Sequence, residues 1–246
     1  MKRLYWIDNI RALAMISMVI YHAMWDLVYL YGVKVPWYHG KAAFYWQQSI
    51  CWTFILLAGF CSKMSRNLIR HGVIVSIWGI VVMVVTQLLM PGNAVWFGVL
   101  TLIGSCTLLM ALLKQCIAKI PPALGVLVAF GLFVLTYHVG WGYIGILDMR
   151  LLEVPNVFYR NLFTAYLGFP PANFYSTDYF PLVPWMFLYF SGAFLHGLWA
   201  KYRPMAMEKM SFRIAGLTCL GKHALVVYVL HQPILYGVLE VWFKIF

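Results

Sequence analysis

Charged residues are scarce in this sequence: they make up 10% of 246 positions, with only 7 Asp and Glu, against 63% hydrophobic residues. Soluble domains carry roughly 25% charged and 45–50% apolar residues, so a water-soluble single domain is excluded. Cysteine spacing suited to a metal or a disulfide framework is also missing. Cys51, Cys61, Cys106, Cys116 and Cys219 are odd in number and lie in or near apolar runs, which fits small buried hydrophobes. The opening MKRLYWIDNI has neither an apolar signal region nor a small-residue cleavage site. The first hydrophobic segment is therefore expected to stay as a helix. The net charge of +11 sits in short segments between apolar runs, where it reports orientation and contact with lipid headgroups rather than nucleic acid.

What the chain has in abundance is apolar runs of the length a bilayer needs, about 20 residues for a core of roughly 30 Å. Hydropathy predicts helices near residues 9–31, 45–63, 71–90, 94–114, 121–140, 181–200 and 217–243. The expected fold is an all-α, polytopic bundle of about seven transmembrane helices forming one domain over residues 1–246. Pro91-Gly92-Asn93, Pro121-Pro122 and Pro181 with Pro184 fall at the expected boundaries.

Lys2, Arg3, Arg11, Lys63, Arg66, Arg70, Lys114, Lys119, Lys201, Arg203, Lys209, Arg213 and Lys222 fall on one side of such a bundle. Lys34, Lys41, Arg150, Arg160 and Lys244 fall on the other. The positive-inside rule then predicts a cytoplasmic amino terminus and an outer carboxyl terminus, as in a bacterial inner-membrane protein. Residues 141–180, with Asp148, Glu153, Asp178 and the Gly168-Phe169-Pro170-Pro171 break, form a long outer connection. Such a segment is read as an outer-face lid or a re-entrant element.

Ionisable groups at membrane depth mark ligand or proton paths. At helical spacing, Asp8, Arg11, Met15, Met18, His22 and Asp26 share one stripe of the first helix. Arg11 and His22 then lie about 16 Å apart along the axis. Asp26, one turn beyond His22, is at the spacing where a carboxylate orients an imidazole, which makes His22 a candidate general base. The bland reading, a polar stripe that merely faces other helices, stays open on spacing alone. In the last helix, Gly221-Lys222-His223 and His231-Gln232-Pro233 bring His231 to nearly the depth of His22. Asp178, Tyr179 and Trp185 gather an acid and aromatics at the outer mouth of the sixth helix, which suits a sugar or amine and equally an aromatic belt.

Several segments carry a family resemblance in order along the chain. They are Ile7-Asp8-Asn9-Ile10-Arg11-Ala12-Leu13-Ala14, Met18-Val19-Ile20-Tyr21-His22, Phe54-Ile55-Leu56-Leu57-Ala58-Gly59-Phe60, Trp96-Phe97-Gly98-Val99-Leu100, Asp178-Tyr179-Phe180-Pro181-Leu182-Val183-Pro184-Trp185 and Leu230-His231-Gln232-Pro233-Ile234. Together they resemble bacterial members of the heparan-alpha-glucosaminide N-acetyltransferase catalytic-domain family. The Arg11 and His22 spacing is also similar to the signature of the acyltransferase-3 membrane enzymes. The resemblance implies transfer of an acetyl or other acyl group from cytoplasmic acetyl-CoA to an amino-sugar or sugar-like acceptor on the far side.

On that footing His22 and Asp26 are expected to be catalytic. Arg11, Asp8 and Lys222 are expected to hold the acetyl-CoA, and Asp178, Trp185, His231 and Gln232 the acceptor. No metal is expected, the partners are acetyl-CoA, acceptor and lipid, and a homodimer stays open. Two positions depart from the family pattern: Arg11 is followed by Ala12 instead of Gly, and Thr101 stands where bacterial relatives commonly have His. The competing readings are a proton-coupled small-solute transporter, against which the lack of an evident internal repeat counts, and a non-catalytic ligand-binding relative.

Overall fold

The computed structural model describes residues 4–147, 149–202 and 212–245. Lys2, Arg3, Asp148, Arg203 and Lys209, used above for orientation and loop reading, lie outside these residues. Ten α-helices run through the described chain: α1 (Tyr5–Tyr29), α2 (Lys41–Ser62), α3 (Leu68–Leu89), α4 (Val99–Leu112), α5 (Lys114–Ala118), α6 (Pro122–Thr136), α7 (Leu162–Leu167), α8 (Leu182–Tyr202), α9 (Ala215–Lys222) and α10 (Ala224–Ile245).

Among the described residues, five segments are long and apolar enough to cross a bilayer: Tyr5–Tyr29, Leu68–Leu89, Pro122–Trp141, Leu182–Tyr202 and Ala224–Ile245. This is a helical membrane protein. At the other two predicted spans, α2 has 22 residues but falls outside this apolar set, and α4 has only 14. At 1.5 Å per residue α4 is about 21 Å long, short of the hydrocarbon core. Its predicted start at 94 moves to Val99 because Pro91–Asn93 forms a 3-10 turn and the Asp178 carboxylate accepts from the Val99 N–H, 3.3 Å. The last predicted span is two helices, α9 and α10, separated at His223.

The long connection supplies the departure from an all-α chain. Strands β1 (Tyr143–Ile146) and β2 (Met149–Glu153) pair antiparallel as a hairpin, and α7 follows.

The chain divides into two compact units, Met1–Phe54 with Arg203–Phe246, and Ile55–Tyr202. In the first, α1 packs against α9 and α10. Its core gathers Met15, Met18 and Ile50 with Val19, Trp46, Leu220 and Val227. In the second, α3 packs on α4, and α8 on both α4 and α6.

Lipid offers no hydrophobic drive for helices to associate, so close packing of small residues has to supply it. Gly79 of α3 meets the first turn of α4, where an added Cβ would stand 2.7 Å from the Thr101 nitrogen and 2.8 Å from its hydroxyl. Thr101, the position that departs from the family pattern, is thus a helix-packing residue in this chain. A larger side chain at Gly79 forces the helices apart. Gly79→Leu is expected to lower stability by about 1–3 kcal/mol, read as the thermal midpoint in detergent. Leu127→Ala, at an outward position 72% exposed, should leave that midpoint nearly unchanged.

Candidate active site

The polar residues of α1 fall into two groups, one at each end of the stripe. At the amino-terminal end Asp8 and Asn9 are buried. Arg11 donates to the Asp8 carboxylate and to the Gly221 carbonyl of α9, both at 3.4 Å. Asn9 donates to the Phe212 carbonyl at 3.1 Å, and its own oxygen accepts from Thr218 at 2.8 Å. The backbones can approach this closely because residue 221 is glycine: a Cβ there would lie 1.9 Å from the Asp8 carbonyl oxygen. Lys222, one residue on, sets its ammonium 5.9 Å from the centre of the Tyr5 ring.

The three residues expected to hold acetyl-CoA, Asp8, Arg11 and Lys222, are therefore gathered where α1 meets α9. Asn9, Thr218 and Gly221 complete this junction. A polar pair within apolar helices was the available signal for Asn9 and Thr218, and nothing in their spacing links positions 209 apart.

Deeper in the same unit, His22 and His231 come together with ring centroids 4.9 Å apart and planes 57° from parallel. The expectation that the two lie at one depth matches this contact. His231 Nδ1 lies 2.6 Å from the Tyr228 carbonyl oxygen. A carbonyl only accepts, so the ring proton sits on Nδ1 and the neutral imidazole presents Nε2 as an acceptor. That Nε2 is buried and without a hydrogen-bond partner among the described residues.

Asp26 is fully buried, and its Oδ1 accepts from the Gln232 amide at 2.7 Å. The hydrogen bond it makes thus runs from α1 to α10 and not to His22. Asp26 Oδ2 and Gln232 Oε1 are likewise buried and unpartnered among the described residues. Helix α10 runs through Pro233 without a break. The missing proline N–H still deprives the Val229 carbonyl of its usual helical donor. Tyr21, beside His22, packs edge-on to the His22 ring at 5.9 Å and to Trp46 at 5.2 Å, walling one side of the pair.

The two remaining site candidates belong to the second unit and have structural partners there. Asp178 sits at the start of α4, where a carboxylate is favoured by the exposed helix N–H groups. Ser176 and Thr177 reinforce the same junction through Trp96 and Asn93. Trp185 is buried among Phe133, Tyr137 and Phe180, with ring centroids 5.4, 6.0 and 4.9 Å away. Nearby, Tyr179 donates to the Ala165 carbonyl at 2.6 Å, and burial pushes its phenol pKa up, so it stays a donor. Among the described residues no three His, Cys, Asp or Glu side chains assemble as a metal site.

The α1 and α9 junction predicts a stability effect separate from chemistry. Asn9→Ala leaves the Thr218 hydroxyl and the Phe212 carbonyl without their partner, which should cost about 1–3 kcal/mol. The thermal midpoint in detergent should fall accordingly, and that of the exposed Gln115→Ala variant should not.

The comparisons with known proteins bear on the whole chain. No curated protein and no solved structure matches it. The family model described as heparan-alpha-glucosaminide N-acetyltransferase, catalytic, matches residues 3–233, a range that includes both polar groups of α1 and extends to Pro233. On that match the chain belongs to the heparan-alpha-glucosaminide N-acetyltransferase catalytic family, a family of transmembrane acetyltransferases.

Proposed function

We propose that this protein transfers an acetyl group from acetyl-CoA on the cytoplasmic side to an amine or hydroxyl of a sugar-like acceptor on the outer side. The observation that carries the reading is the contact of His22 with His231 inside membrane-crossing helices of a chain in this family. Two imidazoles at that depth are costly to keep unless they handle protons or ligand. The family match runs through both compact units, which supports treating them as one functional domain.

In this reading α2 also crosses the membrane, as does α4 together with the non-helical residues 94–98 that lead into it, giving seven spans, a cytoplasmic amino terminus and an outer carboxyl terminus. The 141–180 connection then lies on the outer face. Acetyl-CoA supplies the activated acyl carbon. Arg11 and Lys222 offer cationic donors for its phosphates near the inner end, with Asp8 holding the Arg11 guanidinium in place. The roughly 16 Å of α1 from Arg11 to His22 suits an extended thiol arm.

His22 takes the proton from the attacking amine or hydroxyl as the new bond to the acetyl carbon forms and the thiolate departs. His231 has a different part. With its proton committed to the Tyr228 carbonyl, neutral His231 cannot donate to an oxyanion, and its Nε2 serves to accept a hydrogen bond from the acceptor or from His22. Asp26 and Gln232 fix α1 to α10 at this level and leave Asp26 Oδ2 and Gln232 Oε1 to accept hydrogen bonds from the bound acceptor. Asp178 and Trp185 are left as a helix cap and a packing residue.

Two experiments on purified protein test this. The wild type should bind acetyl-CoA and consume it with an amino-sugar acceptor. His22→Ala should bind it with unchanged Kd and lose about 10²–10⁴-fold in kcat. Full activity in His22→Ala, or acceptor flux into vesicles without any acyl donor, would refute the reading, the second in favour of a transporter. The division of labour between His231 and Asp26 is tested by conservative variants. His231→Gln should lower kcat and alter the pH profile, whereas Asp26→Asn, which can still pair with Gln232, should leave the profile's shape intact.

A further inference from the structure

The hairpin formed by β1 and β2 carries a row of large apolar side chains outside every candidate span. Ile146, Leu147, Met149, Leu151 and Leu152 are all exposed, Leu147 at 77% and Met149 at 68%. Every residue of β2 is exposed, so both faces of that strand lack protein cover. A two-stranded hairpin is at best marginally stable in water, and an exposed apolar hairpin edge is an aggregation hazard.

Its base is firmly held within the second unit. Tyr143 stacks on His138 at 4.9 Å and 9°, and the Arg150 guanidinium lies 4.9 Å from the centre of the same Tyr143 ring. The Val154 N–H donates to the Gly142 carbonyl at 2.8 Å, and the Tyr159 hydroxyl donates to the Val139 carbonyl. Strand β1 packs against α6.

We infer that this hairpin is a membrane-interface element, with the side chains of Ile146, Leu147, Met149, Leu151 and Leu152 against lipid beyond the end of α6. Three features fix lipid as the occupant. The hairpin directly follows a membrane-crossing helix with its own exposed apolar residues: Leu127, Val128 and Leu132 of α6 are exposed, and only residues 137–142, with the turn Val139–Trp141, separate α6 from β1. The junction carries the aromatic groups of an interfacial belt, Tyr137, Trp141 and Tyr143. Arg150 among the apolar residues suits a phosphate headgroup, since a long cationic side chain can lie along apolar surface with its charge at the interface. The strands also have the right reach. Four residues of β1 span about 13 Å, enough to pass a headgroup layer of about 5–7 Å per leaflet.

The test uses nitroxide labels on full-length protein in lipid nanodiscs. Cysteine replaces Leu147 or Leu151, one at a time, in a background with the half-buried Cys51 and Cys61 and the exposed Cys116 and Cys219 changed to Ala, which leaves only the buried Cys106. Leu127→Cys on α6 gives the lipid reference and Lys119→Cys the aqueous one. Labels at 147 and 151 should collide with oxygen in preference to a water-soluble nickel chelate, with a ratio close to that at 127 and several-fold above that at 119. A ratio equal to that at 119 overturns the inference. So does low access to both reagents with dipolar broadening between labels, which would mark a second copy as the cover. None of these readings depends on enzyme activity.

Discussion

Hydrocarbon cannot accept or donate a hydrogen bond, and that constraint governs where polar groups can stand in this protein. Each polar side chain carried into a membrane-crossing helix has to find its partner inside the molecule. Helix α1 carries Asp8, Asn9, Arg11, His22 and Asp26. Asp8 pairs with Arg11 on the same helix, and the other partners come from the far end of the chain: Phe212, Thr218, Gly221, His231 and Gln232. The need to satisfy these groups fastens the first helix to the last two at two levels. The level at the amino-terminal end closes completely around Asn9, with both ends of its amide used. The deeper level does not, and leaves three buried acceptor atoms on Asp26, Gln232 and His231. Unmet acceptors are expensive as structure and serviceable as a site, which favours the deeper group for the acyl-transfer chemistry, while at the amino-terminal level Asn9 and Thr218 hold the helices together.

The Tyr228 carbonyl illustrates how a backbone atom sets side-chain chemistry. By accepting from His231 Nδ1 it fixes the tautomer and decides that Nε2 is an acceptor. Asp26 could have played such a part toward His22, one turn away on the same helix. The Gln232 amide reaches its carboxylate instead, so His231 is oriented by the α10 backbone and His22 packs against its ring.

Much of this was legible in the sequence. Composition alone made lipid the solvent, and the helical stripe from Asp8 to Asp26 appears as an inward face whose Asp8, Met15, Met18 and Asp26 are buried. The shared depth of His22 and His231 followed from counting residues. Partner choice did not. Spacing on one helix nominates Asp26 for His22, but a hydrogen bond goes to whichever group the packing delivers, and Gln232 arrives from 206 positions away. The structural role of Asp178 was hidden for a related reason: an acid beside aromatics looks like a sugar site, while the start of a helix 79 residues earlier is an equally good demand for a carboxylate. The hairpin at 143–153 was hidden because an apolar run of that length, interrupted by Asp148 and Arg150, fits neither a span nor an alternating strand.

The central claim is vectorial transfer: donor on one face, acceptor on the other, chemistry at the histidine pair between them. Its most direct measurement reconstitutes the protein in sealed liposomes that enclose an amino sugar, with radiolabelled acetyl-CoA supplied outside. The expected result is acetylated amino sugar trapped in the lumen with wild-type protein and none with His22→Ala. Label that stays wholly outside, or product that forms only when donor and acceptor share one compartment, would contradict it.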